Sequence, residues 1–310
     1  MSDTTSPPVH DFTATPEEAR LRLDMVLSAR LPHLSRSRIQ SLVKAGRVTL
    51  GGSPAKSSEI VRAGDIIRLQ EEAPPPPAGA RPEEIPLRIL HEDKDLLVVD
   101  KPAGMVVHIG AGHGDGTLVN ALLHHAGTLS EGSGDHRPGI VHRLDKETSG
   151  CIVVARNDRT HAALAAQFAE RTVRKTYLAV VRGIPRHRTG TIDLAIGRHP
   201  VHRQRMAPRR PPSGREAVTD YEVLSSRDGW ALVACRPRTG RTHQIRVHLT
   251  HLGHPIAGDP LYGRRDCFGR HLLHAWRLEF AHPSTGEILR CTAPVPSDFD
   301  LVPFPSQPPA

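Results

Sequence analysis

The stretch Glu71 to Pro86, EEAPPPPAGARPEEIP, sets the strongest limit on how this 310-residue chain can fold. Successive prolines fix φ, remove backbone donors and favour an extended polyproline geometry, so neither a helix nor an inner strand passes through such a run. Residues 73–86 therefore read as a linker between a small module, 17–72, and a larger one, 87–296. Both ends, 1–16 and 297–310, are also rich in proline and small residues and read as disordered tails.

Within the small module, Leu23, Val26, Leu27 and Leu31 recur at helical spacing, and Ile39, Leu42 and Val43 mark a second helix capped by Ser35 and ended by Gly46. Val48-Thr49-Leu50 then runs into Gly51-Gly52, a hairpin turn, and Ile66-Ile67 with Leu69 forms a further strand. Arg36 and Arg38 fall in the first turn of the second helix. Exposed N–H groups there, with added positive charge, suit a phosphate.

The larger module reads as strands at Leu87–Leu90, Leu96–Val99, Ile140–Val141, Cys151–Ala155, Tyr177–Val181, Tyr221–Leu224 and Ala231–Cys235. Helices fall near Leu118–His125, Thr160–Glu170 and Thr242–Leu252. Strands and helices do not alternate strictly, so the class is α+β, not a doubly wound parallel sheet.

Lys and Arg total 41 against 33 acidic residues, a net charge of +8, which makes polyanions the first partners to consider. The cysteines, Cys151, Cys235, Cys267 and Cys291, form no C-x-x-C pair, so neither a zinc knuckle nor a disulfide framework is indicated. Met1 to Phe12 lacks the pattern of a secretory signal, and no segment reaches the roughly 20 apolar residues of a membrane span. A soluble, cytoplasmic protein is expected.

Asp145 sits in a polar loop between apolar runs, with Arg143 before it and Lys146 after it. Cations on both sides suit a carboxylate that acts as base or nucleophile. By itself an Asp between strands is more often a turn former. The surrounding Gly139-Ile140-Val141-His142-Arg143-Leu144-Asp145-Lys146-Glu147-Thr148-Ser149-Gly150, however, resembles the signature of the RluA family of RNA pseudouridine synthases. Three further segments resemble that family in the same order: Asp100-Lys101-Pro102-Ala103-Gly104-Met105-Val106-Val107-His108, Arg174-Lys175-Thr176-Tyr177-Leu178, and Gly240-Arg241-Thr242-His243-Gln244-Ile245-Arg246-Val247-His248.

The resemblance implies a mainly antiparallel mixed sheet flanked by helices and loops. It assigns Asp145 as the catalytic carboxylate, Tyr177 as the aromatic that meets the extruded uracil, and Arg246 as the basic residue that pairs with Asp145. Arg143 would hold the surroundings of the flipped nucleotide. A guanidinium can bind a carboxylate through two hydrogen bonds, and that geometry is expected for Arg246 and Asp145. The isomerisation needs no water or redox step, so no cofactor is expected.

Residues 20–69 resemble the S-four RNA-binding domain, through Arg22-Leu23-Asp24, Ser35-Arg36, Lys44-Ala45-Gly46-Arg47-Val48 and Ala63-Gly64-Asp65-Ile66. That likeness implies RNA contacts at Arg36, Arg38 and Lys44. Between Arg198 and Arg215 the chain carries many arginines and no acid, which reads as a mobile basic loop with Arg198, Arg203 and Arg205 as phosphate contacts. Its opening, Gly197-Arg198-His199-Pro200, resembles family members that modify large-subunit ribosomal RNA, with transfer RNA the second choice of substrate.

His243, His248, His251 and His254 raise a metal site, but no H-E-x-x-H pattern accompanies them and no metal is expected. Gly258-Asp259-Pro260-Leu261-Tyr262-Gly263 reads as a structural turn. Two other functions compete. A glycosidase would want a second carboxylate across the bond, for which Glu147 has no evident role. A non-catalytic RNA-binding or ribosome-assembly factor would use the small module and the basic loop alone.

Overall fold

The structure, a computed structural model, describes residues 9–31, 34, 36–71, 80–109, 115–127, 129–130, 137–263 and 268–300, with the side chains of residues 36–38 and 41 outside the description. The chain divides into two compact units, Met1–Ala78 and Gly79–Ala310.

The first unit runs β1 (Val9–Thr13), α1 (Leu23–Arg30), α2 (Arg36–Lys44), β2 (Val48–Leu50), β3 (Ser53–Pro54) and β4 (Ile66–Gln70). Its strands form one antiparallel sheet in the order β1-β4-β2-β3. The apolar residues spaced along α1 and α2 bury Leu23, Val26, Leu27, Ile39 and Leu42 against Val48, Ile67 and Leu69. Gly51 and Gly52 turn the β2–β3 hairpin at positive φ. Strand β1 corrects the expectation of a disordered tail over 1–16. The alternation of Val9-His10-Asp11-Phe12-Thr13 is strand-like, and its backbone pairs residue for residue with β4.

In the second unit the elements follow as β5 (Arg88–Glu92), β6 (Leu96–Lys101), α3 (Leu118–Ala126), β7 (Ser149–Ala155), α4 (Asp158–Ala169), β8 (Arg174–Arg182) and β9 (Thr189–Asp193). Then come β10 (Ile196–Arg198), β11 (Met206–Pro208), β12 (Val218–Arg227), β13 (Trp230–Pro237), α5 (Gln244–His251), β14 (Leu273–Ala281) and β15 (Ile288–Thr292). Among the described residues a nine-stranded sheet runs β5-β6-β7-β14-β8-β13-β12-β9, with β15 on β14. The β7–β14 pair is parallel and the others are antiparallel. This is the mixed, mainly antiparallel α+β sheet expected.

The continuous apolar runs of β6 and β7 reflect burial on both faces of the sheet. Leu97, Val99, Ile152 and Val154 meet Leu118 and Leu122 of α3. Leu96, Val98, Cys151 and Val153 meet Leu164 of α4 on the other side. Ile245 and Leu249 of α5 pack on Leu178, Val180 and Val233.

Three expectations are corrected here. The later part of the 73–86 linker belongs to the second unit: Ala80 packs on its core, and Asn120 exchanges hydrogen bonds with the backbone of Arg81 and Glu83. The 297–310 tail begins with a 3-10 turn at Ser297–Phe299, which buries Phe299 and pairs Asp298 with Arg270. Ile140-Val141 makes only an isolated bridge from Ile140 to Val154. Residues 301–310 lie outside the described residues.

Candidate active site

The loop that carries Asp145 enters β7 and is held from several sides. Leu144 is buried in the α3-side core beside Val107, Leu118 and Ile152, worth about 2 kcal/mol of burial, which fixes the chain one residue before the carboxylate. Thr148 N–H bonds Asp145 O at 3.1 Å, closing a turn. Lys101, fully buried, donates to the carbonyls of Pro102 (2.7 Å), Met105 (2.9 Å) and Lys146 (3.0 Å). Burial pulls its pKa down to about 7, yet three carbonyls match the three N–H groups of an ammonium and would leave a neutral amine one short. From the far side Arg270 Nη1 reaches Glu147 O at 3.1 Å, and Thr148 Oγ1 meets His271 Nε2 at 2.8 Å.

Helix α5 brings up the countercharge. Arg246 Nη1 donates to Asp145 Oδ2 at 3.0 Å, so the pairing of these two residues, 101 positions apart, is present. Its geometry differs from the expectation. The bidentate grip goes to Asp259, through Nε to Oδ2 at 2.7 Å and Nη2 to Oδ1 at 2.9 Å, leaving a single bond for Asp145. Burial disfavours the guanidinium's charge, but the bonds to Asp259 and the charges of Asp259 and Asp145 outweigh it and hold the pKa above the ordinary value. Asp145 keeps 22% of its side-chain surface open against 4% for Arg246 and none for Asp259, so of the two carboxylates only Asp145 is open to a substrate.

Arg143, Asp145, Tyr177 and Arg246 line one cleft of about 510 Å³. Its walls also carry Arg171, Lys175, Arg215, Arg238 and Arg241, and Asp145 is the one acid among the lining residues. Such a surface attracts a polyanion and presents a single carboxylate to it. Burial, and then the charge of Asp145, push the Tyr177 phenol up, so it stays protonated in the free protein.

Arg198, Arg203 and Arg205 sit on the β10–β11 hairpin, so part of the basic segment 198–215 is paired strand and not loop. Ile196, Met206 and Ala217 cluster with Val247 and Tyr262, and Met206 N donates to the Tyr262 hydroxyl at 2.7 Å. Arg205 lies 5.4 Å over the Tyr262 ring, which Arg246 also faces at 5.0 Å, so Arg205 adjoins the site. Arg198, bonded to Arg203 O, and Arg203 itself lie outside the cleft lining. Lys44 is exposed on the first unit, and the side chains of Arg36 and Arg38 lie outside the described residues.

Sequence reasoning missed Lys101, Asp259, Tyr262 and His243 as parts of this site. The available signal was the turn Gly258 to Gly263, whose Asp and Tyr both point at Arg246. Two of the other histidines in this stretch are separately committed: His248 of α5 to Thr219 Oγ1 and Leu194 O, and His254, beyond the helix, to Arg182 O. Asp93, Asp95 and His282 bring ligand-type atoms within 4.8 Å of one another. There His282 Nδ1 accepts amides of Ser284 and Thr285, so its Nε2 carries the proton that faces Asp93 at 3.1 Å and offers an ion no lone pair.

Residues 95–251 match the family described as RNA pseudouridylate synthase, and residues 21–67 match the S4 domain. The chain is 45% identical over 291 residues to the uncharacterized RNA pseudouridine synthase YlyB of Bacillus subtilis, covering 93% of this chain and 95% of that one. It is 44% identical over 298 residues to ribosomal large subunit pseudouridine synthase D of Nitrosomonas europaea, covering 93% and 85%. The solved human RNA pseudouridylate synthase domain containing 4 superposes with a TM-score of 0.57 at 30% identity, over 71% of this chain and 95% of that one. With a single open carboxylate in an arginine-lined cleft and these likenesses across both units, the chain belongs to the RNA pseudouridylate synthase family and is an RNA pseudouridine synthase.

Proposed function

We propose that this enzyme isomerises specific uridines of large-subunit ribosomal RNA in the cytoplasm, with Asp145 as the catalytic carboxylate. The observation that carries the proposal is the 3.0 Å bond from buried Arg246 to Asp145 in a cleft where Asp145 is the one acid among several arginines and a lysine. The relatives named for the large ribosomal subunit support the choice of RNA.

The uridine is taken out of its helix into the cleft, with Arg143 holding the space it leaves and Tyr177 against the uracil. Asp145 enables cleavage of the glycosidic bond, the base turns while enclosed, and its carbon 5 joins the ribose. Arg246 keeps the carboxylate in place throughout. Tyr177, protonated in the free enzyme, offers its ring for stacking and its hydroxyl for the later proton movement at carbon 5. Arg198, Arg203 and Arg205 on the hairpin, with Arg36, Arg38 and Lys44 of the first unit, bind phosphates and set which RNA is engaged.

Pseudouridine mapping across cellular RNA in strains lacking the gene or carrying Asp145→Asn tests this. Loss of the same large-subunit sites in both strains is expected. Loss confined to transfer RNA would overturn the ribosomal assignment, and no loss in the Asp145→Asn strain would overturn the role of the carboxylate.

A further inference from the structure

His243 occupies an unusual place. It is the residue before α5, its backbone sits at φ 55° in the left-handed region, and its ring lies between Tyr262 and Asp145. A non-glycine residue held there costs of the order of 1 kcal/mol, and such outliers collect where a side chain must be aimed. Nδ1 is 2.8 Å from the Tyr262 hydroxyl, and Nε2 is 3.8 Å from Asp145 Oδ2.

Met206 N can only donate, so the Tyr262 oxygen accepts from it at 2.7 Å. The phenol's own proton can then go to His243 Nδ1 at 2.8 Å, and in that arrangement the imidazole carries its proton on Nε2. That N–H faces the carboxylate. Burial lowers the imidazole's pKa against the opposing pull of Asp145, which keeps it neutral and preserves the order of donors.

Both charged or polar neighbours of Asp145 described so far, Arg246 Nη1 and His243 Nε2, lie on Oδ2. We infer that His243 is a positioning residue: held as its Nε2–H tautomer by Tyr262, it turns that N–H towards Oδ2 of Asp145 at 3.8 Å, beyond direct hydrogen-bond length but on the same side as the Arg246 bond, so that Oδ1 is the oxygen presented to the nucleotide. The β10–β11 hairpin takes part, because the Met206 amide that orients Tyr262 belongs to it. The inference rests on Asp145 being the reacting carboxylate.

Single-turnover rates at saturating large-subunit ribosomal RNA transcript, with Asp145→Asn as the blank, test the role. His243→Ala is expected to slow the rate constant about threefold, the scale of a polar contact longer than a hydrogen bond, with half-saturating RNA unchanged. His243→Gln, whose amide N–H can stand in for Nε2–H, is expected to recover most of the loss. Histidine ring-nitrogen NMR spectra of the RNA-free protein should show the proton on Nε2, and Tyr262→Phe, which keeps the ring over Arg246, should mix the tautomers. A His243→Ala rate equal to wild type, a glutamine variant no faster than alanine, or a wild-type proton on Nδ1 overturns the inference. The spectrum needs no RNA, so it decides the tautomer even where the wild-type enzyme is itself silent on the transcript, a result that counts against the ribosomal reading instead.

Discussion

Arg246 serves two carboxylates of opposite character, and the difference can be measured. Asp259 is wholly buried and takes two bonds; Asp145 is partly open and takes one. Breaking a buried pair strands an uncompensated charge, so Asp259→Ala should cost about 3–5 kcal/mol in urea unfolding and lower activity with it. Asp145→Asn leaves Arg246 bonded to Asp259 and should change stability by less than about 1 kcal/mol while abolishing turnover. Equal stability losses in the two variants would contradict this division. Asp145 and Arg246 were legible in the sequence because each sits in a motif whose order along the chain resembles a family. Asp259 was not, since an Asp before Pro260 is chemically a good turn former, and it does cap that turn, accepting Leu261 and Tyr262 amides while it binds Arg246. One side chain carries two roles, and spacing reveals only the local one.

Among the elements, those with clean periodicity were read correctly: α1 to α5, the apolar runs of β6 and β7, and the hairpin after Gly51. Strands β9, β10, β11, β14 and β15 were not. The β10–β11 hairpin is short, basic and bounded by prolines, and it packs on Tyr262 and Val247, partners distant in sequence. In β14, Leu273-His274-Ala275-Trp276-Arg277-Leu278-Glu279-Phe280-Ala281, buried His274 blurs the apolar run, although the strand lies between β7 and β8 in the sheet. The parallel β7–β14 pairing matches His274 with Ser149 and Ala275 with Gly150, just past the Asp145 loop. Gly150 has φ 108°, and a Cβ built there would lie 2.2 Å from Ala275 O. Gly150→Ala must therefore strain the backbone and part the strands together. A loss of about 3 kcal/mol or more in equilibrium unfolding is expected, with turnover reduced because the Asp145 loop loses its footing. A variant as stable and active as wild type would show that this junction does not position the loop.

At the scale of the whole molecule, the division into two units was legible from the proline run, but the exact limits were not, because packing of Ala80 and Phe299 is decided by surfaces that no local pattern announces. The units also differ in a way that pH exposes. In the unit from Gly79 onward, burial lowers the pKa of His108 to about 4, His142 to about 3, His271 to about 4 and His274 to about 4, with nearby cations adding to the effect. Their unfolded value is about 6.5, so as pH falls below that the unfolded chain takes up protons that the folded unit refuses. Their contribution is fully present above about 6.5 and is lost as pH falls towards 4, at up to about 1.4 kcal/mol per pH unit for each histidine. Asp93, held at about 2, and Asp259, also held low, stay ionised through this window, so the loss does not come from these carboxylates. Calorimetry should show the transition of the larger unit falling by roughly 10 °C or more between pH 7 and 5. A transition that stays level over that range would mean that the four imidazoles are solvated well enough to titrate in place. Near-ultraviolet circular dichroism recorded alongside turnover separates the two causes of acid inactivation: signal and activity lost together report unfolding of the catalytic unit, whereas activity lost from an unchanged spectrum places the titrating group inside the cleft.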